Sequence, residues 1–178
     1  SYADRVVKFS RSGSAHENYP TIEGTGLVST YFHGEYFFES DRTLYKVSSQ
    51  PYLSHQSLRH HTDEIFALDR EARQVILSLI VQNITTGFDS LDRLDNEKVV
   101  AHSDVKPENI MLLAALTDLT PNSSDAFALT DFDSIVSGES SYSESTIEFS
   151  APRLAGVDVS PHSRDLWALG LTVLAYWK

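Results

Sequence analysis

At Thr62 the hydrophobic pattern of this chain changes period, and that change bounds the folds open to it. Before it stand short β-branched and aromatic runs: Val6 and Val7 within Tyr2–Phe9, then Leu27–Phe38, then Thr43–Val47. The polar Glu39–Arg42 between the last two reads as a hairpin connection. Residues 51–61, with Pro51 and three histidines, read as a connector. After it, Ile65, Leu68, Ala72, Val75, Ile76, Leu79 and Ile80 recur at three- and four-residue steps. One amphipathic helix is therefore predicted from Thr62, with Thr62 as its N-cap and Asp63 and Glu64 in its first turn. Val99–Ala101 and Ala126–Leu129 are short apolar runs, each leading into an Asp-containing motif. Ser163–Trp177 reads as a helix that is apolar nearly all round, hence buried. Strands followed by helices predict an α+β fold in two lobes, about 1–50 and 51–178.

Composition narrows the function classes. The 178 residues are 41% hydrophobic, one ordinary domain's worth of core. There is no cysteine, so disulfides and thiolate metal sites are excluded. A net charge of −11 argues against a general nucleic-acid surface, which gains affinity by neutralising phosphates. Val75–Val81 and Leu166–Trp177 are too short or too interrupted to span a bilayer, and Ser1–Ser10 lacks a signal-like apolar run. A cytoplasmic or otherwise intracellular protein without a membrane segment is expected. Because the chain opens on Ser rather than Met, it is expected to be a piece of something longer.

The chemistry concentrates in four strings. The first is His102-Ser103-Asp104-Val105-Lys106-Pro107-Glu108-Asn109, and the second is Leu129-Thr130-Asp131-Phe132-Asp133. The third is Ser145-Thr146-Ile147-Glu148-Phe149-Ser150-Ala151-Pro152-Arg153, and the fourth Ser163-Arg164-Asp165-Leu166-Trp167-Ala168-Leu169-Gly170. Taken singly, an Asp before a turn or at a helix start is ordinary. Their order is what is specific. The first resembles the protein-kinase catalytic loop H-R-D-L-x-x-x-N, and the second sits at the D-F-G position. The third resembles the G-T-x-x-Y-x-A-P-E end of an activation segment, and the fourth D-x-W-x-x-G.

That resemblance to the eukaryotic-type Ser/Thr protein kinases implies a truncated two-lobe fold and transfer of the γ-phosphate of ATP to a protein Ser or Thr. It implies that Asp104 orients the acceptor hydroxyl and that Lys106 reaches the migrating phosphate. It assigns magnesium to Asn109 and Asp131, and to Asp165 a structural bond to the catalytic-loop backbone. Thr146 takes the place of the Thr that bonds to the catalytic Asp and Lys. The Lys that grips the α- and β-phosphates falls at Lys8, in Val6-Val7-Lys8. Its rival Lys46 lies too close to Asp104, because the helix from Thr62 fills the interval. The helix Glu that partners this Lys falls at Glu17, although Pro20, Gly24 and Gly26 make a poor helix there. Ser48, Ser49 and Gln50 fall at the gatekeeper and hinge, so Ser49 is placed among the nucleotide-binding residues.

Several positions depart from the family pattern. Ser103 stands for the Arg that often meets an activation-loop phosphate, so phosphorylation at Ser140–Ser145 is not the expected switch. Asp133 stands for a Gly, and Asp adopts some Gly geometries only at a cost. Arg153 stands for a Glu. A Gly-rich phosphate loop is not found before Lys8, since Gly13 lies on its wrong side. These departures keep a second reading open, a pseudokinase that binds nucleotide or protein as a scaffold. A third, a small-molecule phosphotransferase, shares the His-x-Asp loop and a D-F-D-like metal motif, but Lys106–Asn109 and Thr146–Pro152 speak against it. His55, His60 and His61 read as a solvated connector rather than a metal site.

Overall fold

The computed structural model describes residues 4–11, 19, 21–138, 146–152 and 159–177. Glu17, Gly13, Ser140–Ser145 and Arg153, singled out above, lie outside the described residues.

The chain folds as α+β with small antiparallel sheets. Four strands come first: β1 (Arg5–Arg11), β2 (Thr21–Ile22), β3 (Thr30–Phe38) and β4 (Thr43–Pro51), in the order β1-β4-β3-β2. The β3–β4 hairpin turns through Arg42, at φ +54°. Pairing slips between Phe32 and Gly34, so His33 forms a bulge. Strand β4 runs on to Pro51, past the expected end at Val47. Ser48 and Ser49 are weak strand formers, but β4 is paired on both sides, and that context overrides propensity.

The helical part begins with α1 (Thr62–Ala67) and α2 (Arg70–Asp92), where one helix was expected. The break is local. Leu68 turns extended, with ψ +149°, and Asp69 caps the new helix by accepting the Ala72 amide at 2.8 Å. Thr62 is not a cap either. It is the first helical residue, and its hydroxyl donates to the Arg59 carbonyl at 2.7 Å. Four short strands follow: β5 (Val100–Ala101), β6 (Ile110–Leu112), β7 (Phe127–Leu129) and β8 (Val136–Ser137). They pair antiparallel as β5–β8 and β6–β7. Last comes α3 (Pro161–Tyr176), with Ser160 as N-cap and Pro161 at its first position.

One core holds the helical part together. Ile76, Leu79, Ile80, Ile84, Phe88 and Leu91 of α2 pack with Ile110, Leu112, Phe127 and Leu129 of β6 and β7. Asn83 fixes the register: its Oδ1 accepts the Ala126 and Phe127 amides at 2.8 and 2.9 Å, and its Nδ2 donates to the Ser124 carbonyl. The sheet is tied on by residues 24–28. Val28 N donates to the Leu129 carbonyl at 2.7 Å, and Leu129 N to the Gly26 carbonyl at 2.8 Å. Gly26 has φ +76°, and a Cβ there would lie 2.3 Å from the Asn83 carbonyl oxygen. On the facing helix, a Cβ on Gly87 would lie 2.8 Å from the Gly26 carbonyl oxygen. These glycines let two backbones touch.

Helix α3 is not buried all round. Asp165, Ala168, Leu169, Thr172 and Tyr176 face inward, while Leu166, Trp167, Leu174 and Trp177 are exposed. Its described neighbours, α1, α2, β5 and the turn at 147–149, cover only that inward stripe. Among the described residues, no helix is long and apolar enough to cross a membrane.

Candidate functional site

The 102–109 loop leaves β5 at His102, which is fully buried, and its backbone is gripped from α3. Asp165, in the N-terminal half of α3, accepts the His102 amide at 2.7 Å and the Ser103 amide at 2.9 Å. Ser103 sits at φ +66°, a conformation costly for a side-chain residue, and those two bonds help hold it there. The Asp104 amide points at His102 Nδ1, 3.3 Å away, which makes Nδ1 the bare nitrogen. His102 Nε2–H therefore donates to the Thr130 carbonyl at 2.9 Å.

Asp104 is the hub of the loop. Its Oδ1 accepts the Thr146 hydroxyl at 2.8 Å and the Thr146 amide at 3.2 Å. Its Oδ2 accepts Lys106 Nζ at 2.7 Å and Asn109 Nδ2 at 3.0 Å. Lys106 Nζ also donates to Thr146 Oγ1 at 2.8 Å. Asp104, Lys106, Asn109 and Thr146 thus share one network.

Burial pushes the Asp104 carboxyl up, but the bonds from Lys106 and Thr146 outweigh it and leave it below the ordinary range. Asp104 therefore stays anionic at neutral pH and suits orienting a hydroxyl better than strong proton abstraction. The sign also fixes a stability effect. A depressed folded pKa contributes stability that is present above about pH 4 and is lost as pH falls through the folded value. Urea unfolding followed from pH 5 to pH 2 is expected to show a steeper loss for the wild type than for Asp104→Asn.

Thr130 joins this loop to the next motif. Its amide donates to the Asn109 carbonyl at 3.0 Å, its carbonyl accepts His102, and its hydroxyl donates to Gln50 Oε1 at 2.8 Å. Asp131 follows at φ +63°, and Phe132 is buried with its ring edge toward His102, centroids 5.4 Å apart. Asp131 Oδ1 meets Lys8 Nζ at 2.5 Å, and Asp133 Oδ2 meets the same nitrogen at 2.6 Å. Asp133 lies in a short helical turn with no positive φ, so the strain expected at this position sits at Asp131 instead. Burial pulls the Lys8 ammonium down, but its bonds to Asp131 and Asp133 and their charges leave it raised.

The structure thus joins Asp104, Lys106, Asn109 and Thr146, and separately Lys8 with Asp131. Ser49 is placed elsewhere. It lies on the sheet face opposite Lys8, where its hydroxyl meets Arg5 Nε at 3.1 Å and His33 Nε2 at 2.7 Å. Gln50, its neighbour, faces Thr130 on the Lys8 side. Lys46 is buried opposite Ser10, and Lys8 is the lysine that bonds to Asp131. The roles of Thr130 and Ser10 were missed, and Gln50, placed at the hinge, is found bonded to Thr130. For Ser10 a signal existed, since it follows Lys8 by two residues on a strand and so shares its face.

A magnesium ion suits the donors present. Asn109 spends its nitrogen on Asp104, which leaves its carbonyl oxygen as a donor. Magnesium is commonly held by one or two such oxygens plus substrate phosphates. Among the described residues no cluster of three or more His, Asp or Glu forms a self-sufficient metal site. The histidine-rich connector is used locally: His61 bonds to Glu64 and the His55 carbonyl, and His60 to Ser57.

No protein-family model matches the chain, and no curated protein matches it either.

Proposed function

We propose that this chain is the core of an ATP-dependent Ser/Thr protein kinase with a kinase-like two-lobe fold, a sheet lobe of about 1–50 and a helical lobe of about 51–178. The observation that carries the reading is the Asp104–Lys106–Asn109–Thr146 network, tied through His102 and Thr130 to the Lys8–Asp131 pair.

In this reading Asp104 accepts the hydroxyl of a substrate Ser or Thr and aligns its oxygen with the γ-phosphorus. Lys106 offers its ammonium to the migrating phosphoryl oxygens, and Lys8 holds the α- and β-phosphates. Asn109 and Asp131 hold magnesium, which when bound neutralises charge on the phosphate oxygens. Attack by the hydroxyl oxygen forms the phosphoester while the β–γ bridging bond breaks and ADP leaves, the hydroxyl proton being given up to the Asp104 carboxylate late in the transfer. A cavity of about 730 Å³ opens beside Lys106 and Thr146, with Phe66, Phe149 and Tyr176 on its walls and Glu108 and Glu148 among its charges. Such a groove suits a peptide acceptor; Arg59 and Lys106 stand beside the two carboxylates, and Arg59 pairs with Glu108 at 3.7 Å.

The test is transfer of labelled phosphate from magnesium-ATP to basic Ser/Thr peptides and to the protein itself. Incorporation on Ser or Thr, lost on chelation of magnesium, is the expected result. Absence of transfer to any peptide, with ATP still raising the melting temperature in the presence of magnesium, would favour the pseudokinase reading. Label appearing only on a small hydroxylated acceptor would replace the protein substrate with a metabolite.

A further inference from the structure

Strand alternation on β1 places Lys8 and Ser10 on one face, opposite Ser48 and Lys46 of β4. Across from them, the helical turn at 132–134 carries Asp133 back toward β1. A single oxygen, Asp133 Oδ2, receives both Lys8 Nζ at 2.6 Å and the Ser10 hydroxyl at 2.7 Å. The family pattern has a glycine here, which offers no side chain at all.

We infer that Asp133 is a positioning residue, which anchors Lys8 toward the nucleotide phosphates and is itself braced by Ser10. The inference rests on the proposed kinase reading. Its logic is a division of labour between two carboxylates. In that reading Asp131 shares its charge between Lys8, which it meets through Oδ1, and a divalent cation, which weakens its hold on Lys8. Asp133 is not assigned a magnesium in that reading, so its contact with Lys8 supplies a counter-charge while nucleotide is bound. A lysine stem is long and flexible, and an ammonium held at one end only would sample several positions. Two anchors on one face of the cleft restrict it to one. Ser10 adds what a lone exposed ion pair lacks, a fixed partner on a paired strand that sets the orientation of the Asp133 carboxylate.

The experiment measures dissociation constants of magnesium-ADP and of adenosine for the full-length protein and its variants. Asp133→Asn is expected to weaken magnesium-ADP about tenfold, the scale of one charge-assisted hydrogen bond, with adenosine unchanged. Asp133→Glu should recover part of the loss. Ser10→Ala, which removes only the brace, should weaken magnesium-ADP about threefold in a variant with little risk to the fold. In the double variant with Lys8→Met, Asp133→Asn should cost nothing further, because it acts through Lys8. Losses that multiply in the double variant, or an equal loss for adenosine, would overturn the inference and leave Asp133 structural. So would tighter magnesium-ADP binding by Asp133→Asn, the result expected if Asp133 only repelled phosphate. A wild type that shows no magnesium-dependent ADP binding would overturn the kinase reading and this inference together.

Discussion

In the proposed kinase reading, replacing Asp104 with Asn is expected to lower phosphate transfer about 10²-fold or more, the scale of a misplaced acceptor hydroxyl. The argument starts from the bonds. Asp104 Oδ1 can persist as an amide oxygen, so the two Thr146 donors keep their partner. Oδ2 becomes an amino group, and it then meets Lys106 Nζ and Asn109 Nδ2, donor against donor. The Asp104 and Lys106 side chains are only 13% and 21% exposed, so water does little to repair the mismatch. A fall in unfolding free energy of about 1–3 kcal/mol accompanies it. Magnesium-ADP should still bind, because Asp104 faces the acceptor rather than the nucleotide in the proposed reading. Loss of turnover with nucleotide affinity retained is thus the signature. Transfer by Asp104→Asn within tenfold of the wild type would remove Asp104 from the acceptor role.

What could be read from the sequence was local. Asp104, Lys106 and Asn109 lie within one short loop, and a loop of that length can hardly avoid bringing them together. Their link to Asp131 was only inferred from motif order; its physical basis is Thr130, pinned on three sides by His102, Asn109 and Gln50. No spacing rule predicts a bond between residues 50 and 130. The broken helix had a cue in Asp69, a good cap followed by an acid, yet Leu68 fits the three-to-four-residue stripe of either helix, so periodicity hid the break. Gly24 and Gly26 were read as spoiling a helix. Gly26 instead admits the backbone of α2, and that becomes visible only with Gly87 opposite it. Ser49 illustrates the cost of a one-residue ambiguity in a strand. With a period of two, Ser49 and Gln50 face opposite sides of the sheet, and only the observed register with β1 says which one meets Thr130.

The Asp165→Ala variant is expected to lose about 2–5 kcal/mol of stability and, with it, ordered placement of Asp104. Asp165 is 1% exposed, and its two oxygens are the acceptors for consecutive amides, His102 and Ser103. Removing them leaves two donors unpaired, the His102 amide in a fully buried residue and the Ser103 amide in a half-buried one, at about 1–3 kcal/mol each and least for Ser103. Ser103 then keeps its positive φ without the bond that compensates for it. Burial pushes the Asp165 carboxyl up, against the pull of His102 and the two amides, so this site is sensitive to anything that weakens those bonds. Asp165→Asn retains one acceptor oxygen but turns an NH2 group on the other backbone amide, so it should recover less than half of the loss, giving the order wild type, Asn, Ala. Urea unfolding separates the three. A transfer assay on the folded fraction then asks whether the loop, rather than the whole domain, has loosened. Equal unfolding midpoints for wild type and Asp165→Ala would mean that the loop backbone is held by something other than α3.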